Sequence, residues 1–286
     1  MRLAEARPVV RLALFASALA VLAAGAALAG KASGIDSGDG GSDEEAAHGG
    51  DESTAGAYGL SDTASGFGLR IEPASLAART TSRLAITIVD DEGDPVTGLR
   101  GEDGEPPLHL ILVRRDLTGY QHLHPRRTGE GFVADVTLPR AGSWRAYADF
   151  EVDGEKVVLG RDLAVPGDFA AEAPAALTRS AAVDGYRIEL GDDVLRAGAE
   201  ATLSFGISRN GRPIQGLQPY LGAAGHLVAI REDDLAYLHV HPLDEVLPGG
   251  VGFDVELDQP GRYALYLQFK HEGRVRTARF TVEVAR

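Results

Sequence analysis

From Gly68 to the C-terminus, short runs rich in Val, Ile, Leu and Tyr recur between Gly, Pro and Asp, and none carries the 3.6-residue period of an amphipathic helix. The pattern predicts strands near Leu69 to Glu72, Leu84 to Val89, His109 to Val113, Tyr120 to His124, Phe132 to Leu138, Trp144 to Glu151 and Lys156 to Ala164. A second series follows near Tyr186 to Leu190, Ala201 to Ser208, His226 to Ile230, Tyr237 to His241, Gly252 to Leu257, Arg262 to Phe269 and Arg274 to Val284. Side chains alternate faces along a strand, so Trp144, Ala146, Ala148 and Phe150 share one face, as do Tyr263, Leu265, Leu267 and Phe269. Each of these strands is expected to be half buried. The number and spacing of the runs predict an all-β chain of two tandem immunoglobulin-like β-sandwich domains, residues 67–167 and 183–286, joined by an Ala- and Pro-rich linker at 168–182.

The two halves are copies. His109 to Pro125 (HLILVRRDLTGYQHLHP) returns as His226 to Pro242 (HLVAIREDDLAYLHVHP) at an offset of 117, with eight of seventeen positions identical, among them three histidines and the proline. The likeness extends to Pro95–Leu99 with Pro213–Leu217, and to GSWRAYADF at Gly142–Phe150 with GRYALYLQF at Gly261–Phe269. Each copy reads as a hairpin closed by a proline that cannot donate to a ladder. A turn centred near Asp116 and Leu117 puts His109 opposite His124 and Ile111 opposite His122. All three imidazoles then share one face, with directly opposed Cβ atoms about 5 Å apart. The same register gathers His226, His239 and His241.

The composition narrows the chemistry. There is no cysteine and the one methionine is Met1, which leaves imidazole and oxygen as protein ligands. Three imidazoles with an open coordination position suit copper(II) or zinc, giving His109, His122 and His124 as one candidate site and His226, His239 and His241 as another. The competing reading makes them structural histidines, inherited by both halves from one duplicated hairpin. Tyr120 and Tyr237 read as packing residues with tethered hydroxyls, and Asp116 and Asp233 as turn residues. His271 has Val152 at the matching place in the first copy and is expected to be exposed. A zinc-activated water would make the protein an enzyme, but no carboxylate or hydroxyl accompanies the histidines in both copies as a base. Glu245 follows His241 by four, whereas Thr128 stands at that place in the first copy. A non-enzymatic role is therefore expected.

Arg2, Arg7 and Arg11 precede the apolar run 12–28, and Ala27-Leu28-Ala29 fits a cleavage site. Residues 1–29 read as a signal peptide or, uncleaved, as a membrane anchor through 12–28; both place the remainder outside the cytoplasm, secreted or held on the outer face of the membrane. Residues 30–66 are acidic and rich in Gly and Ser and read as a disordered tether, with His48 as part of the spacer. The net charge of −14 excludes nucleic acid as an expected partner.

The paired HLHP-type hairpins, the close Leu163-Ala164-Val165-Pro166-Gly167-Asp168-Phe169 and the run Leu217-Gln218-Pro219-Tyr220-Leu221-Gly222 resemble secreted two-domain actinobacterial proteins described as heavy-metal-binding. The single units are similar to YtkA-like and FixH-like β domains and, more loosely, to CopC-like copper carriers. The resemblance covers the chain from about Gly68 and implies an exported β-sandwich protein of metal handling. It departs from the CopC-like carriers in lacking internal methionine, so their ligand set is not carried over. The alternative function for tandem sandwiches of this kind is a cell-surface interaction or adhesion module with a protein partner.

Overall fold

The computed structural model of the chain describes residues 58–101, 106–191, 194–243 and 247–286, and the side chains of His239 and His241 also lie outside the description. The expected export segment and residues 30–57 of the expected tether fall outside the described residues. Residues 58–66 of that tether are described, and they belong to the folded body.

The first half contains β1 (Thr63–Ala64), β2 (Phe67–Glu72), β3 (Thr81–Val89), β4 (His109–Arg114), β5 (Gln121–Leu123), β6 (Arg126–Thr128), β7 (Gly131–Thr137), β8 (Gly142–Val152) and β9 (Glu155–Val165). The second contains β10 (Ser180–Val183), β11 (Tyr186–Leu190), β12 (Glu200–Arg209), β13 (Arg212–Pro213), β14 (Gly225–Arg231), β15 (Tyr237–His239), β16 (His241–Pro242), β17 (Gly250–Glu256), β18 (Gly261–His271) and β19 (Arg274–Val284). In the first domain the sheet β1-β2-β3-β7-β6 faces the sheet β5-β4-β8-β9. The second domain repeats the plan with β10-β11-β12-β17-β16, to which β13 adds on β12, and β15-β14-β18-β19. All ladders between these strands are antiparallel. The all-β, tandem immunoglobulin-like architecture read from the strand pattern is the architecture of the protein.

Alternation builds each core. In β11, Tyr186, Ile188 and Leu190 are buried while Arg187 and Glu189 are exposed, and in β3 Leu84, Ile86 and Ile88 turn inward. The first core gathers these β3 residues with Leu110, Leu112, Trp144 and Leu159. The second gathers Ile188, Phe205, Phe253, Leu265, Leu267 and Phe280.

A third apolar cluster lies between the domains, where Ile111, Val113 and Tyr147 of the first four-stranded sheet meet Val228, Ile230 and Tyr266 of the second. The two four-stranded sheets thus pack outer face to outer face, and all six residues of β4 are buried. This corrects the expectation of half-buried strands at β8 and β18, whose central seven residues are buried on both faces. The physical reason is visible in β4 and β14: HLILV and HLVAI are continuous apolar runs, the pattern of a strand covered on both sides. Each aliphatic side chain buried there contributes about 1.5–3 kcal/mol.

Two chain segments strap this interface. The Tyr58 carbonyl accepts from the Tyr237 amide at 2.8 Å and the Ser61 carbonyl from the Gly160 amide at 2.7 Å, so the end of the expected tether bonds to both domains. Gly59 (φ 63°) passes so close to Tyr147 that a Cβ would lie 2.6 Å from its ring. The linker is tied as well: Ala170 accepts from Arg114 at 3.0 Å, Ala175 accepts from Arg262, and Thr178 bonds to Thr281 at 2.8 Å.

Candidate functional site

The hairpin that carries the first three histidines has the register its spacing predicts. Leu110 pairs with Leu123, Ile111 with His122 and Leu112 with Gln121. His109 opens β4, and His124 follows β5 directly. Leu110 and Leu112 fill the first core, so Ile111 and the histidines occupy the opposite face, which is the one covered by the second domain.

The turn between the strands is held by a buried ion pair. Arg114 donates through Nε to Asp116 at 2.9 Å, and Asp116 also accepts from Thr118 Oγ1 at 2.7 Å. Burial works against the Asp116 carboxylate, but the bonds from Arg114 and Thr118 outweigh it and hold its pKa below the usual value. In the second copy the matching pair is Arg231 with Asp234, at 2.9 Å, and not with Asp233. Leu117 (φ 59°) corresponds to Leu235 (φ 67°), so the second turn has one residue more before the left-handed leucine and one fewer after it. The constant offset conceals this compensating shift: Asp233 is a turn residue, as read from the sequence, and the ion-pairing counterpart of Asp116 is Asp234.

His109, His122 and His124 come together. Their ring centroids are 5.1, 5.2 and 4.8 Å apart, and one nitrogen from each lies within 4.8 Å of the others. His109 Nδ1 is 2.9 Å from His122 Nε2, and His122 Nδ1 is 2.6 Å from Oε1 of Gln268 on β18. The Gln268 amide also bonds through Nε2 to Thr277 Oγ1 at 3.2 Å. With Oε1 facing it, His122 donates from Nδ1 and keeps the lone pair on Nε2. His124 Nε2 is buried and has no hydrogen-bond partner, a state that costs about 1–3 kcal/mol. Burial first, and the neighbouring His109 second, push His122 down to about 3 and His124 down to about 4, so both rings are neutral at neutral pH.

His226 does not stand apart in its own domain. Its ring lies 4.6 Å from His122 and 5.7 Å from His109, centroid to centroid. The expectation of two groups in separate domains did not foresee that the histidine faces oppose each other across the interface. His239 occupies β15 opposite Val228, the register of His122 opposite Ile111, and His241 pairs with Asp254 in the other sheet of the second domain. Among the described residues, the group of three that could hold an ion is His109, His122 and His124.

A cleft of about 530 Å³ opens between the domains onto the cluster, with His109, Asp149, Glu151, Lys156 and His226 in its wall. Asp149 is the ladder partner of His109, as Gln268 is of His226. Asp149 accepts from the Tyr237 hydroxyl at 2.7 Å, and burial, with Asp149 next, raises the pKa of that phenol well above its usual value. Tyr120 stacks on Tyr266 at 4.1 Å, and its own buried hydroxyl has no hydrogen-bond partner. The reading of tethered hydroxyls thus describes Tyr237 and not Tyr120. His271, expected to be exposed, is half-buried, 2.7 Å from the Tyr186 hydroxyl and 3.0 Å from the Gln215 carbonyl. Asp149 and Gln268 escaped the sequence reading, although both interrupt otherwise apolar strands at the same place in GSWRAYADF and GRYALYLQF.

The donor set fits a borderline metal. Bonds of about 2.0–2.1 Å in a tetrahedral site place ligand nitrogens roughly 3.3 Å apart. The 2.9 Å between His109 Nδ1 and His122 Nε2 needs only a small opening, with the His109 proton transferred to its other nitrogen. The unpartnered His124 Nε2 would be the third donor.

Fold and cluster together define a tandem β-sandwich protein with imidazoles gathered where its two repeats meet. The chain belongs to the family described as domain of unknown function (DUF8832), whose model matches it twice, at residues 62–167 and 181–286. No curated protein matches it. Among solved structures it is similar to FdeC, an Escherichia coli adhesin, at 15% identity and TM-score 0.26 over 77% of this chain and 64% of that one. It is similar to Salmonella alpha-2-macroglobulin at 15% identity and TM-score 0.28, over 82% and 16% of the respective chains. For invasin, a bacterial integrin-binding protein, the values are 13% identity and TM-score 0.23, over 75% and 39%. Scores this low bear on no functional point.

Proposed function

We propose that the protein is an exported, non-enzymatic metal-binding protein that holds copper(II) or zinc through His109, His122 and His124. The observation that carries the reading is the buried, unpartnered Nε2 of His124 beside two further imidazoles whose nitrogens all lie within 4.8 Å. Two neutral imidazoles set against a third are expected to share a ligand or to satisfy each other, and His124 Nε2 is not satisfied. Bound there, the ion would supply a Lewis-acid centre. The chain's own part is to keep His122 and His124 neutral and to hold the three rings together between two sheets, at the end of a cleft. The second repeat carries His226, His239 and His241 in the corresponding positions for the same role. Metal handling outside the cytoplasm, secreted or tethered to the membrane, is the setting that the N-terminal segment supports.

A second reading has its own observation. The chain His109–His122–Gln268 already satisfies two rings without an ion, as in a cell-surface interaction module whose histidines are structural. Thermal melts of chelator-treated protein separate the two. Metal binding predicts a melting temperature that climbs with added zinc or copper(II), because a ligand bound only to the native state stabilises it by mass action. The interaction-module reading predicts unchanged melts.

A further inference from the structure

His122 takes its orientation from the opposite domain. Its ring sits on β5 of the first sandwich, while the acceptor of its Nδ1 proton, Gln268, sits on β18 of the second, 146 residues further along the chain. We propose that Gln268 is a positioning residue of the metal centre: it holds His122 with Nε2 as the free donor, so that the centre is complete only while the second domain is packed against the first. The inference rests on the metal-binding reading given above.

Three observations support it. A histidine that ligates a metal donates its other ring N–H to an acceptor, which fixes the tautomer and strengthens the donor nitrogen. Gln268 Oε1 at 2.6 Å is that acceptor, while the amide Nε2 bonds to Thr277 Oγ1. The choice of amide over acid also matters. The equivalent place in the first repeat holds Asp149, which is engaged by the Tyr237 hydroxyl. The neutral amide oxygen of Gln268 accepts at Nδ1 without adding charge to the centre and leaves Nε2 available. The same strand pair, β14 with β18, places His226 beside His122, so one face of the second domain both orients and flanks the cluster.

The test uses the full chain and zinc(II) alone as the probe. Affinity is measured by competition with a chromophoric chelator for the wild type, Gln268→Met, Gln268→Ala and Gln268→Glu, and the imidazole tautomers of the metal-free proteins are read from 15N spectra. Gln268→Met keeps length and removes the acceptor; it is expected to weaken zinc binding by about 10–100-fold and to move the His122 proton away from Nδ1. Gln268→Glu keeps an acceptor and is expected to stay within about threefold of the wild type at pH 8, smaller than the 10–100-fold loss that removing such a partner brings. Gln268→Met with wild-type affinity, or with the His122 proton still on Nδ1, overturns the inference and leaves the metal reading standing. Should Gln268→Met fail to fold, Gln268→Ala, which also removes the acceptor, decides: wild-type affinity, or a His122 proton still on Nδ1, in that variant overturns the inference. If wild-type protein binds no zinc, the metal reading falls, and this inference with it.

Discussion

The hydroxyl of Tyr147 donates to the carbonyl of Leu235 at 2.7 Å. The relationship is reciprocal, since Tyr266 donates to Leu117 at the same 2.7 Å. Each tyrosine reaches from the centre of one four-stranded sheet into the histidine hairpin's turn on the other, at the left-handed leucine. The two repeats therefore meet as an internal two-fold dimer, in which a contact from i to j is answered by one from j to i.

Tyr147→Phe and Tyr266→Phe should each destabilise the protein by about 1–2 kcal/mol, because each leaves a buried carbonyl unpaired. Denaturant unfolding of the two variants checks this, and similar losses at the two sites are expected from the reciprocity. Loss at one site alone would show that the turns are not equivalently docked.

Asp116→Ala should be the most damaging single change outside the cores. Its side chain and that of Arg114 are 8% and 3% exposed, so removing the acid leaves a buried guanidinium without its counter-ion, which costs about 3–5 kcal/mol. Asp116 also accepts from the Glu172 amide at 3.0 Å, and Arg114 holds Ala170. The linker should consequently be cleaved faster by added protease in the variant than in the wild type, within residues 168–177.

Stability of the metal-free protein should fall on acidification. Burial lowers His122 from 6.5 to about 3 in the folded state, so as pH drops the unfolded chain takes up the proton first. Its contribution is fully present above about pH 6.5 and is lost progressively toward pH 3, with a slope of up to about 1.4 kcal/mol per pH unit. His124, lowered to about 4 by burial and His109, acts in the same direction. Urea unfolding at a series of pH values reads the slope. Replacing His122 with glutamine should flatten it.

The fold was legible because alternation is a local property: the buried positions of β3, β11 and β12 can be read from a few residues at a time. The three-histidine group was legible for the same reason, since His122 and His124 are two apart and their register with His109 follows from one turn. What lay beyond reach depends on contacts between distant elements. Nothing within HLHP indicates that Gln268 and His226 approach it from another domain. The continuous runs HLILV and HLVAI, with Tyr147 and Tyr266 outward on β8 and β18, were the available sign that both faces are covered. The shift from Asp233 to Asp234 was hidden because an insertion and a deletion cancel within a single turn.

The central claim is that the histidine cluster binds a metal ion, and isothermal calorimetry of copper(II) and zinc into metal-free protein at neutral pH tests it most directly, run on the wild type and on a variant carrying both His122→Ala and His124→Ala. The account predicts saturable heat for the wild type and loss of one equivalent in the variant. Absence of saturable heat in the wild type, or an unchanged isotherm in a folded variant, would contradict it and leave the histidines as packing residues of the domain interface.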